Sequence, residues 1–340
     1  MTSPMEAEES GPPGSEAIVT PEPHHSESPS CRAQAHQLLR QALDQGESQF
    51  GAALRSYEEA LRLFRLLQDK AGEALALKGL SNLRYNLKDY GAVITLAEQY
   101  RDACVQLSDR RGEARALSLL GNAYRHLNDF GRSIHCQKQS LTIASQEGDR
   151  RLEAAALNNL GLVYKALADL DQAIAYQQQS LVLAQELGDR EVESQVLRNL
   201  SNAFHALGDY DKTVDYQEQR LAIAREIGNS ALTLQILRNL ETACYTLGDY
   251  PKAVFYAQQR CDIAHQIQDL RAEEQALGSL GIAYDAQENY AKAVECYERR
   301  LAIARQLKDT RVERQTLSSL RIACFAIGDY AKATEYEQQL

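Results

Sequence analysis

Apolar positions recur along this chain on two scales, three to four residues apart within a segment and forty residues apart between segments. A leucine stands at Leu80, Leu120, Leu160, Leu200, Leu240, Leu280 and Leu320. A second stands three places earlier, at Leu77, Leu117, Leu157, Leu197, Leu237, Leu277 and Leu317. The register runs without an insertion from about Ala71 to Leu340. Within one unit, Leu197, Leu200, Phe204 and Leu207 follow at spacings of three, four and three, which predicts one buried helical face. Val214, Leu221, Ile223, Ala224 and Ile227 predict a second helix. Gly208 closes the first in the left-handed geometry that glycine reaches cheaply, and Asp209 caps the next. Asp189 caps the first helix, with Glu193 near its positive end, and Gly228–Asn229 ends the unit. Two helices of about seventeen residues each span roughly 25 Å.

A fixed period of this length means stacked units, not one globular core. Small residues share single slots: Cys104, Ala144, Ala184, Ala224, Ala264 and Ala304 in one, Val93, Ser133, Ala173, Thr213, Ala253, Ala293 and Ala333 in another. A side chain that stays small at a fixed helical position lets two backbones approach closely. One helix pair cannot offset an ordering cost of about 1–2 kcal/mol per residue, so burial between neighbours must supply the rest. The expected division is a tail over residues 1–30, a degenerate capping unit over 31–71 and a solenoid over 72–340. The solenoid units are 72–111, 112–151, 152–191, 192–231, 232–271 and 272–311, with a partial unit over 312–340. The last stretch is expected to leave Ala333, Tyr336 and Leu340 under-covered and to favour self-association through that end.

The pattern resembles the tetratricopeptide repeat (TPR) family, through Leu120–Gly121 with Tyr124, Leu160–Gly161 with Tyr164, and Leu280–Gly281 with Tyr284. The forty-residue period and phrases such as Leu221 to Asn229 are similar to the Pins/LGN spindle-orientation adaptors and to bacterial, especially cyanobacterial, TPR proteins. The resemblance implies an all-α, right-handed superhelical α-solenoid of antiparallel helix pairs, acting as a non-catalytic protein-interaction adaptor. The cyanobacterial likeness adds, by analogy alone, assembly of large complexes such as photosystems; a regulatory module in signalling is a further reading. Glu241 and Arg321 depart from the family's small residue and are expected to loosen packing or reach water.

Composition narrows the function. Six of the seven prolines fall in the first thirty residues, so the helices run unbroken. The net charge is −10, of which Glu6, Glu8, Glu9, Glu16, Glu22 and Glu27 supply −6, leaving −4 for the remainder. That balance, with no reader motif, argues against nucleic-acid binding. The tail is poor in residues to bury, and disorder is expected there; its His24–His25 pair lacks the ligand count of a metal site. Seven cysteines without paired spacing read as small buried hydrophobes in a reducing compartment, and cytoplasm is the expected location. No apolar run is long enough to insert into a membrane. No phosphate loop, metal-ligand spacing or nucleophile elbow is present, so neither catalysis nor a cofactor is expected.

The set displaced by two residues from the core stripe faces nearly the opposite way around the helix. In TPR proteins that face of the first helix lines the concave groove. It presents Lys78, Asn82 and Tyr85; Arg115, Asn122 and Arg125; Asn158, Asn159 and Lys165; Arg198, Asn199, Asn202 and His205; and Gln235, Arg238, Asn239 and Tyr245. Gln275, Asp285 and Gln315 continue it. Amides offer both a donor and an acceptor to a peptide backbone, and arginine offers a fork to carboxylates. The pattern therefore points to an extended, acidic protein or peptide partner. A TPR subset clamps a C-terminal carboxylate; Arg198, Asn202 and Asn239 match two parts of that clamp, but Gln275 and Ser279 stand where the third should be basic.

Overall fold

A computed structural model describes residues 28–340. Residues 1–27, with most of the tail expected to be disordered and the His24–His25 pair, lie outside the described residues. Among the described residues there are sixteen α-helices, one short 3-10 turn (Gly46–Gln49) and no strand. The first pairs are α1 (Ser28–Gln45) with α2 (Phe50–Leu66), α3 (Lys70–Asn86) with α4 (Tyr90–Gln106), and α5 (Arg110–His126) with α6 (Phe130–Gln146). Then come α7 (Arg150–Ala166) with α8 (Leu170–Glu186), α9 (Arg190–Leu207) with α10 (Tyr210–Ile227), and α11 (Ser230–Leu247) with α12 (Tyr250–Gln266). The last are α13 (Leu270–Ala286) with α14 (Tyr290–Gln306), and α15 (Thr310–Ala326) with α16 (Tyr330–Glu337). Each helix packs on the one before and the one after it, and the pairs stack as the expected right-handed superhelical α-solenoid. Helix α1 begins at Ser28, inside the span expected to be disordered, with Pro29 in the first turn where its missing N–H leaves no bond unmade.

The start of every helix from α3 to α16 is set by an Asp or Asn whose side chain accepts from the backbone N–H three residues on. Asp189 accepts from Val192 and Asn229 from Leu232, at 3.2 and 2.9 Å. Such a cap contributes about 1 kcal/mol. The residue before each cap turns the chain in the left-handed region. Gly208 does so at φ +77°, but Ala168 does so at +62°, so the packing dictates the turn and glycine only eases it.

Both leucine series are buried in every repeat, Leu77 to Leu317 and Leu80 to Leu320 alike, and so are both small-residue slots. The expected core stripe is corrected at its ends. Leu207 is 51% exposed and Ile227 56% exposed. Each is the last residue of its helix, as is the exposed Leu247, and Leu127 and Leu167, one residue past the ends of α5 and α7, are exposed as well. Six of the cysteines are buried and Cys31 is half-buried; all are free thiols. Burial pushes the Cys244 and Cys296 thiols up to about 11, which suits packing and not nucleophilic chemistry.

Glycine in the Leu–Gly pairs makes room for a second-helix side chain. A Cβ on Gly121 would lie 2.5 Å from the Gln137 amide, and one on Gly161 equally close to Gln177. Those glutamines donate to the Ser118 and Asn158 carbonyl oxygens, each at 3.0 Å. Glu241 occupies the same slot and neither loosens the packing nor reaches water: it is buried and ion-paired with Arg260. Arg321 is half-buried and meets Glu337 at 3.2 Å. At the last helix, Ala333 is buried after all, and Tyr336 is half-buried with its hydroxyl donating to Glu298 at 2.9 Å; Leu340 is exposed.

Leu200 is fully buried between α9 and its neighbours. Leu200→Ala is expected to lower the unfolding free energy by about 2–5 kcal/mol, checked by urea denaturation. Hydrogen exchange should show the loss spreading into α7 and α11, because each repeat is held by its neighbours.

Candidate functional site

The inner wall of the stack belongs to the first helix of each pair. Contacts between next-but-one helices link α1, α3, α5, α7 and α9 in turn, and also α11 and α13. First helices therefore crowd together along one wall. With Leu197, Leu200 and Phe204 of α9 buried, Gln195, Arg198, Asn202 and His205 are all exposed.

The predicted stripe divides into free and engaged residues. Asn82, Arg115, Arg198, Asn202, His205, Gln235 and Arg238 are exposed, while Lys78, Asn122, Arg125, Asn159, Lys165 and Asn239 are half-buried. Asn158 and Asn199 do not reach the groove. They are 8% and 6% exposed, and the Asn199 amide donates to Asn158 Oδ1 at 3.0 Å, joining two repeats. Other members are partly engaged in the same way. Asn159 donates to Ser118 Oγ at 3.1 Å, and Asn122 accepts from Gln137 at 3.1 Å. Spacing alone could not separate a free amide from one spent on the next repeat.

Asn202, His205, Gln235, Arg238 and Asn239 line one cleft of about 370 Å³, with Ser201 and Gln217 at its floor. A second cluster lies nearer the N-terminal end. His126 Nε2 bonds the Tyr85 hydroxyl at 2.9 Å and lies 3.0 Å from Arg125, and its ring stacks on Tyr90 at 4.3 Å. Burial first, then the charges of Arg125 and Lys88, hold His126 below its ordinary value, so it stays neutral at physiological pH. Further along, the wall becomes apolar: Tyr245, Ile282, Ile322 and Phe325 are all exposed.

Charge pairing differs between wall and edge. At the start of the first helices, Arg110, Arg150 and Arg190 each meet the glutamate three residues on, at 2.6, 3.2 and 2.8 Å. On the wall, Arg115 reaches Asp149 only at 3.9 Å. Among the described residues, Lys78, Arg125, Lys165, Arg198 and Arg238 form no ion pair. The wall thus carries uncompensated positive charge within an acidic protein.

Sequence reasoning missed the wall's floor. One second-helix slot reads Ser140, Ser180, Arg220, Arg260 and Arg300, and the change from serine to arginine at forty-residue spacing was the available signal. Ser140 and Ser180 donate to the Ala114 and Ala154 carbonyls at 2.8 and 2.9 Å. Arg260 pairs with Glu241, which also accepts from Ser279 at 2.9 Å, and Arg300 pairs with Glu274 at 2.8 Å. Burial pushes the Glu241 carboxyl up against the pull of Arg260. Arg220 has no such carboxylate. It is 4% exposed, and its Nε and Nη1 make no hydrogen bond. Burial, then the charge of Arg198, pushes it down to about 10, still protonated at neutral pH.

Models of the tetratricopeptide repeat match residues 112–186, 152–226, 192–266 and 276–311. No curated protein matches the sequence. Among solved structures, the chain is similar over 93% of its length to a signal-transduction ATPase with a tetratricopeptide repeat sensor from Pyrococcus horikoshii, at 17% identity and a TM-score of 0.59. It spans about half of that longer protein, 53%. BtubC from P. vanneervenii is similar over 69% of this chain and 92% of its own, at 21% identity and a TM-score of 0.55. Aspartyl phosphate phosphatase F from Bacillus subtilis is similar over 95% of each chain, at 14% identity and a TM-score of 0.53. At these identities the likeness is one of fold.

The Glu241–Arg260 pair gives a direct check on how the floor is held. Arg260→Met leaves Glu241 buried without its partner and is expected to cost about 3–5 kcal/mol. Adding Glu241→Leu should recover most of that loss. A double-mutant cycle by chemical denaturation measures both.

Proposed function

The chain is a member of the tetratricopeptide repeat family, and from that premise we propose that it is a non-catalytic adaptor whose inner wall captures an extended, acidic segment of a partner protein. The family is one of protein-interaction scaffolds. The observation that carries the finer reading is the row of wall cations without carboxylate partners, Lys78, Arg125, Lys165, Arg198 and Arg238, in a protein of net charge −10. Opposite charge on a segment lying along the wall is attracted to this row, and like charge is refused. Asn202, Gln235 and Asn239 beside Arg198 and Arg238 supply amides to an extended backbone, which has donors and acceptors of its own in every residue. Arg115, Asn82, Asn122 and Asn159 extend the track toward the N-terminal repeats. No helix among the described residues is long and apolar enough to cross a membrane.

Fluorescence anisotropy with a glutamate-rich peptide tests this. The protein should bind it, lose affinity as salt rises, and ignore a lysine-rich counterpart. Arg198→Glu with Arg238→Glu should remove binding without lowering the melting temperature, because both side chains are exposed and Arg198 repels the buried Arg220. Unchanged binding by the double variant would overturn the reading.

Self-association through the last repeat is a second reading, favoured by the exposed Ile322, Phe325 and Tyr330. The Phe325 and Tyr330 rings pack 5.1 Å apart as one apolar patch. Light scattering across a concentration series should show dimers that Phe325→Glu abolishes, and a strict monomer removes this reading.

A further inference from the structure

Arg260 and Arg220 hold the same slot in successive repeats, but only Arg260 is neutralised. The Arg260 guanidinium lies between Glu241 of α11 and Gln275 of α13, with its Nη2 donating to Gln275 Oε1 at 3.5 Å. One repeat earlier, the register sets Arg220 between Ser201 of α9 and Gln235 of α11. Both of those residues line the cleft of about 370 Å³, and Ser201 stands where the neutralising glutamate should be. The Ser201 hydroxyl points to the Thr213 carbonyl at 3.5 Å, and a hydroxyl carries no charge in any case. Gln217, one turn before Arg220, also lines the cleft and is 2% exposed, in the slot of Gln137 and Gln177. A buried guanidinium left without an anion is strongly unfavourable, so its retention beside Ser201, Gln217 and Gln235, which line an open cleft, points to an anion that arrives from outside.

The number of positive charges indicates which anion. Glu241 alone suffices for Arg260. Arg198, exposed on α9 one turn before the cleft residues Ser201 and Asn202, lies close enough for its charge to act on Arg220, and Arg238 lines the cleft itself. Arg238 also feels Glu241 one turn on, but that carboxylate is already held by Arg260 and Ser279. Three guanidinium groups exceed what one carboxylate balances. A phosphate monoester carries about −1.5 to −2 at neutral pH with three strong acceptor oxygens. We propose that the cleft between α9, α10 and α11 is a phosphate-monoester site, in which Arg220 from the floor and Arg198 and Arg238 from the rim hold a phosphorylated side chain of the partner segment. This rests on the inner wall being the binding face, and it adds a single anchor point and a condition: the partner is captured tightly only in its phosphorylated form.

Two variants test it without touching the rim. Ser201→Glu copies Glu241 and fills the anion position from within; Arg220→Met removes the floor cation and, with it, an unpaired buried charge, so this variant should fold at least as stably. The probes are inorganic phosphate and a glutamate-flanked peptide carrying phosphoserine, serine or glutamate at its centre. The wild-type protein should prefer the phosphoserine peptide over both others by roughly tenfold or more, and inorganic phosphate should raise its melting temperature. Both variants should lose that preference and that thermal shift while keeping the weaker affinity for the serine and glutamate peptides. Equal wild-type affinity for all three peptides overturns the phosphate site and leaves the acidic-segment reading standing. A phosphoserine preference that survives Arg220→Met and Ser201→Glu overturns the site as well. A thermal shift with inorganic phosphate that both variants lose, with no binding of any flanked peptide, keeps the phosphate site and removes the extended-segment reading.

Discussion

Everything in this molecule depends on the rotation of each first helix being locked in the same sense. Two leucines per repeat, at the positions of Leu197 and Leu200, are buried in all seven repeats that carry them, and a small residue such as Ala224 or Ala264 sets how near the helices come. Burying one such leucine contributes about 1.5–3 kcal/mol, and rotating a helix out of register would expose both. The lock leaves the opposite face of the helix at a fixed angle and height in every repeat. The core leucines leave that slot free to vary, so Lys78, Arg198 and Arg238 share it with Ser118, Asn158 and Gly278, although Asn158 is turned to bonding the next repeat. A repeat built this way largely separates the residues that hold the stack from those left exposed on the wall, which the proposed function assigns to a partner.

The floor beneath that wall is where the two roles meet. In the earlier repeats it is closed by neutral hydrogen bonds, Gln137 over Gly121 and Ser140 onto a carbonyl. In the later repeats it is closed by charge, Arg260 with Glu241 and Arg300 with Glu274. Either solution gives each of these buried side chains a partner, although one oxygen of Gln137 and one of Glu241 stay unbonded and ion pairs give back much of their attraction as lost hydration. The repeat at α9 and α10 keeps a small neutral residue, Ser201, in the slot of Gly121 but carries the arginine of the charged scheme in the slot of Ser140. That mixture, and no distortion of the backbone, leaves Arg220 without a bonded anion.

The period, the caps and the core leucines were legible because each is a local choice repeated in phase, so that agreement between repeats removes the ambiguity of any single one. Leu207 and Ile227 were misjudged because a spacing rule counts faces and ignores where a helix ends. Asn158 and Asn199 were misjudged for a different reason: each looks outward from its own helix, and only the stack shows that they bond each other. Glu241 is the clearest case. As a single residue it breaks the family's small-residue slot, and nothing near it in sequence supplies its partner; Arg260, nineteen residues on, is a neighbour only once α12 folds back on α11. Pairwise chemistry between helices is legible only if substitutions in two slots are read together, here the slot of Gly121 with that of Ser140.

The wall also changes character along its length, and if it is the binding face proposed above, the change divides the work of recognition. Cations from Lys78 to Arg238 act at a distance, so they would govern such an encounter and its sign and would be weakened by salt. The exposed Tyr245, Ile282, Ile322 and Phe325 act only on contact, through apolar area removed from water, and salt leaves them largely untouched. A segment acidic throughout would satisfy the first stretch and leave the second wet. A segment that is acidic at one end and apolar at the other would satisfy both, and would fit in one direction only, because reversal sets its charges against apolar side chains and its apolar groups against arginines. On the proposed reading, direction along the groove would follow from the order of the repeats, not from any single contact.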